Sequence, residues 1–412
     1  MKRVICDQRT RFANQTGPRL RRLRYLLNRT AIGFIIGLSL SVPASRGAAP
    51  PPASAVPAAW GTIETTPLYL EATTDLLAST PRPDQTPLWY FAVSSPAELR
   101  TVLERVGFTE PLLSRLLEPA LCKAERGGFV VLLPTEVVID LPPATRQALY
   151  EVLARTPGNP NHEMPLFIPD DLATWLAGTH LSATQKRVWQ QLVWRRGHLS
   201  AFSDLPVMIK LATSSDEVAA ACRAVTRVKT FTARIQPAHG AQDAFLEYWS
   251  AGGRNLDALP LLHAIAERTD GPGLDLCHLL PSLARERLYT YPSLSDIIGG
   301  RLPDCQWTAL NFFAANPQPY FLDGRTSYLE LTENYTLIEQ PGQLGDLVCF
   351  VTRAGVVYHS CIYLADDIVF TKNGVNPLAP WILMKLATVE TIYDRGDGSR
   401  AVFYRQKPAG RL

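Results

Sequence analysis

The feature that most constrains this chain is the order of patterns beyond residue 300: one helical segment, then a run of β-type segments. Pro303-Asp304 leads into a helical pattern starting at Cys305, with Trp307, Leu310 and Ala314 as a packing stripe and Asn316-Pro317 as its stop. Gly345–Thr352 and Val356–Ala365 are β-rich runs joined by Arg353-Ala354-Gly355, which suits a hairpin with a G1-type bulge. Asp366-Asp367 makes the next turn, and Ile368–Gly374 follows as a further strand. Helix first and strands afterwards is the order of an α+β domain, not of alternating βαβ units.

The preceding half is mixed. Glu98–Leu116, Ala144–Ala154 and Ala183–Val193 carry apolar residues at helical spacing. Phe129–Leu133 and Val137–Asp140 read as short strands about a Pro134-Thr135 turn, and Val207–Leu211 reads as a strand before a Ser-capped helix, Ser214–Val225. This half brings no tight group of His, Cys and carboxylates together. A chain of 412 residues exceeds one ordinary domain. The expected division is an amino-terminal domain over 61–242, of unassigned role, and a carboxy-terminal domain over 243–412.

Charge is unevenly placed. The formal charge is +3, yet nine Lys or Arg fall within residues 1–29, against Asp7 alone, so the remainder is slightly acidic. Nothing in that remainder suggests a nucleic-acid-binding body. The basic stretch runs into the uncharged segment Ala31–Val42, then Pro43-Ala44, the form of a secretory signal over 1–44. That segment is short for a spanning helix, so the expected membrane contact is through the signal alone. A Pro/Ala-rich linker over 45–60 follows, and folding is expected from Trp60. The localisation that follows is exported, in the periplasm or cell envelope.

Of seven cysteines, Cys6 leaves with the signal. The other six are widely and irregularly spaced with no CxxC, which suggests neither a disulfide framework nor a zinc ribbon. No cofactor is implied.

Cys305 is the residue of chemical interest. A cysteine in the first turn of a helix meets unpaired N–H groups and the positive end of the dipole, and both favour the thiolate. The alternative is a buried structural cysteine. His359 is the only histidine after residue 278 and hence the one imidazole downstream of Cys305. If Thr352 pairs with Val356, Cys349 lies opposite His359 and Leu347 opposite Cys361. On Ile368–Gly374, Thr371 and Asn373 share one face and Lys372 lies on the other. An Asn or Thr there can fix the imidazole tautomer, and Asn373 is the expected third residue. His162, His180, His198, His239 and His263 are scattered, and Cys277-His278 lacks metal spacing.

Asp-Cys at a helix start, then Gly345-Asp-Leu-Val348, then His359-x-x-Ile362-Tyr363-Leu364, resembles the NlpC-like family of papain-like cell-wall cysteine peptidases over about residues 285–375. The resemblance implies a papain-like fold, a nucleophile helix packed on an antiparallel sheet, with Cys305 as nucleophile, His359 as base and a polar third residue. It also implies substrate contacts from Tyr289, Tyr291 and Asp304, and peptidoglycan stem-peptide amides as substrate. This chain has Gln306-Trp307 where the family usually has Ser-Gly, and Cys361 where it usually has Gly. It offers Thr371, Lys372 and Asn373 where the family commonly has a third-position His. Three other readings stay open: a papain-like acyltransferase with an apolar pocket near Phe312, Phe313 and Tyr320; a silent module binding cell-wall peptides; and a metal site from Cys305, Cys349, Cys361 and His359.

Overall fold

Three runs, Leu347–Val351, Val357–Ala365 and Ile368–Lys372, are apolar along almost every position, and all but the first two residues of the second are buried. Strands of that kind need cover on both faces. The computed structural model, which describes residues 58–79, 87–267, 273–298, 300–394 and 398–408, gives them that cover. They lie in a six-stranded sheet made of β1 (Tyr335–Ile338), β2 (Leu347–Val351), β3 (Val357–Ala365), β4 (Ile368–Lys372), β5 (Trp381–Lys385) and β6 (Arg400–Gln406). The order across the sheet is β1-β6-β2-β3-β4-β5, and every neighbouring pair is antiparallel. The carboxy-terminal part is therefore α+β with an antiparallel sheet; the expected order of one helix and then strands does not hold, because Gly324–Asn334 and Leu386–Tyr393 are further helices.

Three helices frame the sheet: α1 (Cys305–Leu310), α2 (Gly324–Asn334) and α3 (Leu386–Tyr393). One face buries Cys349, Ile362, Leu364, Phe370 and Trp381 against Ala309 and Phe312 of the α1 segment and against Phe245 and Trp249. The other face buries Phe350, Cys361, Tyr363, Val369 and Ile382 beneath Val389, Ile392 and Tyr393 of α3. Tyr248 Oη fixes its helix to β3 by donating to the Leu364 carbonyl at 2.6 Å. This core draws in Trp60, Ile63, Ala233 and Ile235, which precede residue 243. They belong to strands Thr62–Leu70 and Val228–Gln236, paired antiparallel along their whole length. Thr230 Oγ1 then ties the second of these to the Leu383 carbonyl of β5 at 2.8 Å.

The Gly345-Asp346 pair has a structural reason. Gly345 sits at φ +92°, and a Cβ there would lie 2.2 Å from Phe313 Cε2. Only glycine combines that backbone with that proximity. Asp346 accepts from the Gly342 and Gln343 amides and takes a bidentate pair from Arg405 at 2.8 and 2.7 Å, closing the turn onto β6.

The hairpin closes where expected, with Thr352 N–H donating to Val356 O at 2.9 Å and Gly355 at φ +80°. Its register differs from expectation. A bulge between Phe350 and Val351 passes over Tyr358, so Cys349 opposes Ser360, Phe350 opposes His359 and Leu347 opposes Ile362. One extra residue moves the pairing by one.

Residues 89–224 enclose a second core around Trp89, Trp175, Trp189, Leu149 and Phe202. Two expected strands are helices. Val137–Asp140 belongs to the helix Thr135–Asp140, and Val207–Leu211 to the helix Leu205–Leu211, which has a proline in its first turn. Tertiary burial of Val137, Val138, Val207 and Met208 outweighs the β preference of these runs. The span Glu98–Leu116 is two helices, Pro96–Arg105 and Glu110–Leu116, with Gly107 at φ +99° between them. Inside this core Arg146 donates to the Val138 and Ile139 carbonyls at 2.7 and 3.1 Å and to Tyr150 Oη at 3.1 Å, while Tyr150 donates to Asp204 at 2.8 Å. The expected signal over 1–44, and the linker up to residue 57, lie outside the described residues. Among the described residues no helix is long and apolar enough to cross a membrane.

Candidate active site

Asp304 starts α1 by accepting the Trp307 N–H at 2.8 Å, which leaves Cys305 as the first helical residue. The helix is shorter than its sequence pattern. Buried Asn311 ends it by accepting from the Gln318 N–H at 2.6 Å and donating to the carbonyls of Trp307 and Gln318. Cys305 is 7 % exposed. Its thiol lies within the electrostatic reach of the Ser360 amide of β3 and of the Gln306 amide, both of which favour the thiolate. Burial, and then the Asp304 carboxylate, push the Cys305 thiol up to about 12; those two amides and Lys372 pull the other way.

His359 is the next residue to Ser360 on the same strand and is fully buried. Its ring stacks on Tyr393 at 3.7 Å and 7°, and Phe350 lies beside it at 5.7 Å. The imidazole thus packs on the α3 side of the sheet, whereas α1 packs on the other side, with Cys305 reaching the edge of the strand between them. Nε2 lies 3.1 Å from Thr371 Oγ1, and Nδ1 has no hydrogen-bond partner among the described residues. Burial alone pulls the His359 pKa down to about 3, so the ring is neutral at physiological pH. Cys305 and His359 therefore occupy neighbouring positions on packed elements without a hydrogen bond between them.

The third residue differs from expectation. Thr371, not Asn373, meets His359. Asn373 instead accepts from Tyr393 Oη at 3.3 Å and approaches Met384 Sδ at 3.5 Å, so it touches the ring that stacks on the imidazole. Tyr289 and Tyr291 are also engaged elsewhere. Their hydroxyls donate to the Phe231 and Thr226 carbonyls at 2.6 and 3.4 Å, and the Tyr289 N–H donates to Trp381 O. These tyrosines fasten their segment to β5 and to the strand Val228–Gln236. Asp304 is the helix cap, its carboxyl raised above its ordinary range by burial.

Lys372 is 0 % exposed and lies on the α1 side of β4. Its Nζ donates to the Gly374 and Asn376 carbonyls at 2.7 and 3.2 Å and sits 5.5 Å from the centre of the Trp381 ring. Trp381 Nε1 in turn donates to Thr308 Oγ1 of α1 at 2.9 Å. The sequence signal for this contact was a lysine in an otherwise apolar strand. Tyr393, in contrast, is brought to His359 only by the fold.

Six cysteines among the described residues are free, and no group of three or more His, Cys, Asp or Glu among those residues is arranged to hold a metal ion. Cys349 Sγ contacts Ser360 Oγ at 3.6 Å on the α1 side, whereas Cys361 packs on the α3 side, so the sheet separates these two thiols. Neither a family model, nor a curated protein, nor a solved structure matches this chain.

Proposed function

We propose that the chain is an exported cysteine hydrolase of papain-like type that cleaves amide bonds through an acyl-enzyme on Cys305. One observation carries the reading: the amide next to His359 acts on Cys305, while Thr371 occupies Nε2 and Nδ1 has no partner among the described residues. With its proton on Nε2, donated to Thr371, the imidazole presents the Nδ1 lone pair as the base; the ring stacks on Tyr393 across the strand from Cys305, so the proposal requires the two groups to close on each other when substrate binds. Catalytic contacts of this kind are commonly long in the absence of substrate and tighten when it binds.

In the proposed reaction the Cys305 proton passes to Nδ1, and sulfur attacks the carbonyl carbon to form the C–S bond. The oxyanion is met by backbone N–H groups, of which those of Gln306 and Ser360 already act on the thiol. The imidazolium returns its proton to the leaving nitrogen as the C–N bond breaks. Water then adds to the thioester, giving a proton to His359, and C–S cleavage releases the carboxylic acid and restores the thiol. The resemblance to NlpC-like peptidases adds the substrate class, amides of peptidoglycan stem peptides.

A second reading has its own observation. Both groups are buried and neutral, which suits a silent module that binds cell-wall peptides on the same scaffold. Incubating the full chain with purified peptidoglycan and measuring new amino groups by mass spectrometry separates the two. Release that is lost in Cys305→Ala supports the hydrolase. Retention of peptide without cleavage supports the module.

A further inference from the structure

The proposed reaction places negative charge on Cys305 Sγ, yet its base is a fully buried imidazole on the far side of the sheet. The α1 side of the sheet holds a cation of its own. We infer that Lys372 is the electrostatic positioning residue for Cys305, its ammonium holding the charge on Sγ while His359 carries the proton; this rests on the hydrolase reading above.

Four observations support it. Alternation along β4 puts Lys372 on the α1 side, paired with Trp381, while Thr371 beside it turns to His359. Its Nζ spends two of its three donors on the Gly374 and Asn376 carbonyls, which fix the ammonium but do not neutralise it. Trp381 lies beneath it and is itself anchored to α1 through Thr308, so the cation and the nucleophile helix are held as one unit. The groups that act on it electrostatically are Cys305, Asp304 and Asp296. Of these, Asp296 is engaged by Arg287 at 2.6 Å, and the field of Arg301 reaches Asp304. A lysine serving packing alone has little reason to sit here, because burying an ammonium is expensive unless an anion or developing charge repays it. Desolvation brings its pKa down to about 8, and Cys305, Asp304 and Asp296 oppose that shift, so the group still carries its proton at neutral pH. Lys372 keeps that proton throughout the reaction.

The test is the pH profile of Cys305 alkylation by iodoacetamide, read by peptide mapping on the full chain. Lys372→Met keeps most of the side-chain volume and removes the charge. Its alkylation midpoint is expected to rise by about one pH unit, making Cys305 about tenfold slower at neutral pH. Thr308→Val, which cuts the Trp381 anchor but leaves the charge, separates packing from electrostatics and is expected to move the midpoint much less. Asp296→Asn, at the buried last position of the 3-10 turn Leu294–Asp296, keeps the side-chain shape, removes a competing carboxylate and is expected to shift the midpoint downward. It provides a reading even if the Met variant does not fold. Unchanged midpoints in Asp296→Asn and in any folded Lys372→Met overturn the role of Lys372 and leave the Cys–His reading standing. A Cys305 that is inert in wild type overturns both.

Discussion

Thr371→Val probes the contact on which the proposed base depends. His359 is fully buried, its Nδ1 has no partner among the described residues, and Thr371 Oγ1 at 3.1 Å is the hydrogen-bond partner of Nε2. Valine matches threonine in shape, so the substitution opens no cavity and leaves Nε2 without its partner. An unsatisfied buried polar group costs about 1–3 kcal/mol, and the methyl that replaces the hydroxyl returns part of that. A net loss of about 1–2 kcal/mol lowers Tm by about 2–8 °C in a domain of this size. Thermal unfolding followed by circular dichroism measures it. Turnover is expected to fall about tenfold or more, because the tautomer is no longer fixed. Thr371→Ser, which retains the hydroxyl, is expected to keep most of both. If the Val variant melts and turns over as wild type does, Thr371 does not hold the ring. If the Ser variant is as impaired as the Val variant, the loss comes from packing.

Two further predictions concern the frame of the site. Gly345→Ala sets a Cβ against Phe313 at a positive φ, and is expected to cost about 2–4 kcal/mol in urea unfolding; a wild-type midpoint contradicts that account of the Gly-Asp turn. Burial depresses His359 from its ordinary 6.5 to about 3, so the unfolded chain binds the extra proton between those values. Its contribution is fully present above pH 6.5 and is lost as pH falls toward 3, at about 1.4 kcal/mol per pH unit within the window. His359→Phe, which keeps the stack on Tyr393, is expected to flatten the acid limb of the stability curve relative to wild type; parallel limbs in the two proteins contradict the buried neutral imidazole.

The α+β class was legible because Pro303-Asp304, the Gly345-Asp346 turn and the Arg353–Gly355 connection are local signals with local physical causes, whereas the helices Gly324–Asn334 and Leu386–Tyr393 were not. The register of the hairpin was not, because nothing in the sequence around Tyr358 announces that it will be passed over in pairing. That single residue sets which face His359 occupies. The short helices at Thr135 and Leu205 were misread as strands for a related reason, since their Val and Ile residues answer to the core they enter. At the site, period-two alternation separated Thr371 from Lys372 correctly, but it could not rank Thr371 above Asn373, which lies on the same face. Tyr393 and Trp381 are brought to the site from distant positions, so only the fold reveals that one stacks on the imidazole and the other supports the lysine.

The most direct test of the central claim is selective alkylation of Cys305 across pH, comparing wild type with His359→Ala. Burial, with the Asp304 carboxylate, holds this thiol at about 12, so reactivity near neutrality requires that its proton move to the imidazole. The account predicts that wild-type Cys305 reacts with a midpoint below the ordinary thiol value of about 8.5, ahead of Cys349 and Cys361, and that His359→Ala abolishes this reactivity. An inert Cys305 in wild type, or equal reactivity with and without His359, would contradict it and leave a buried cysteine on a binding scaffold.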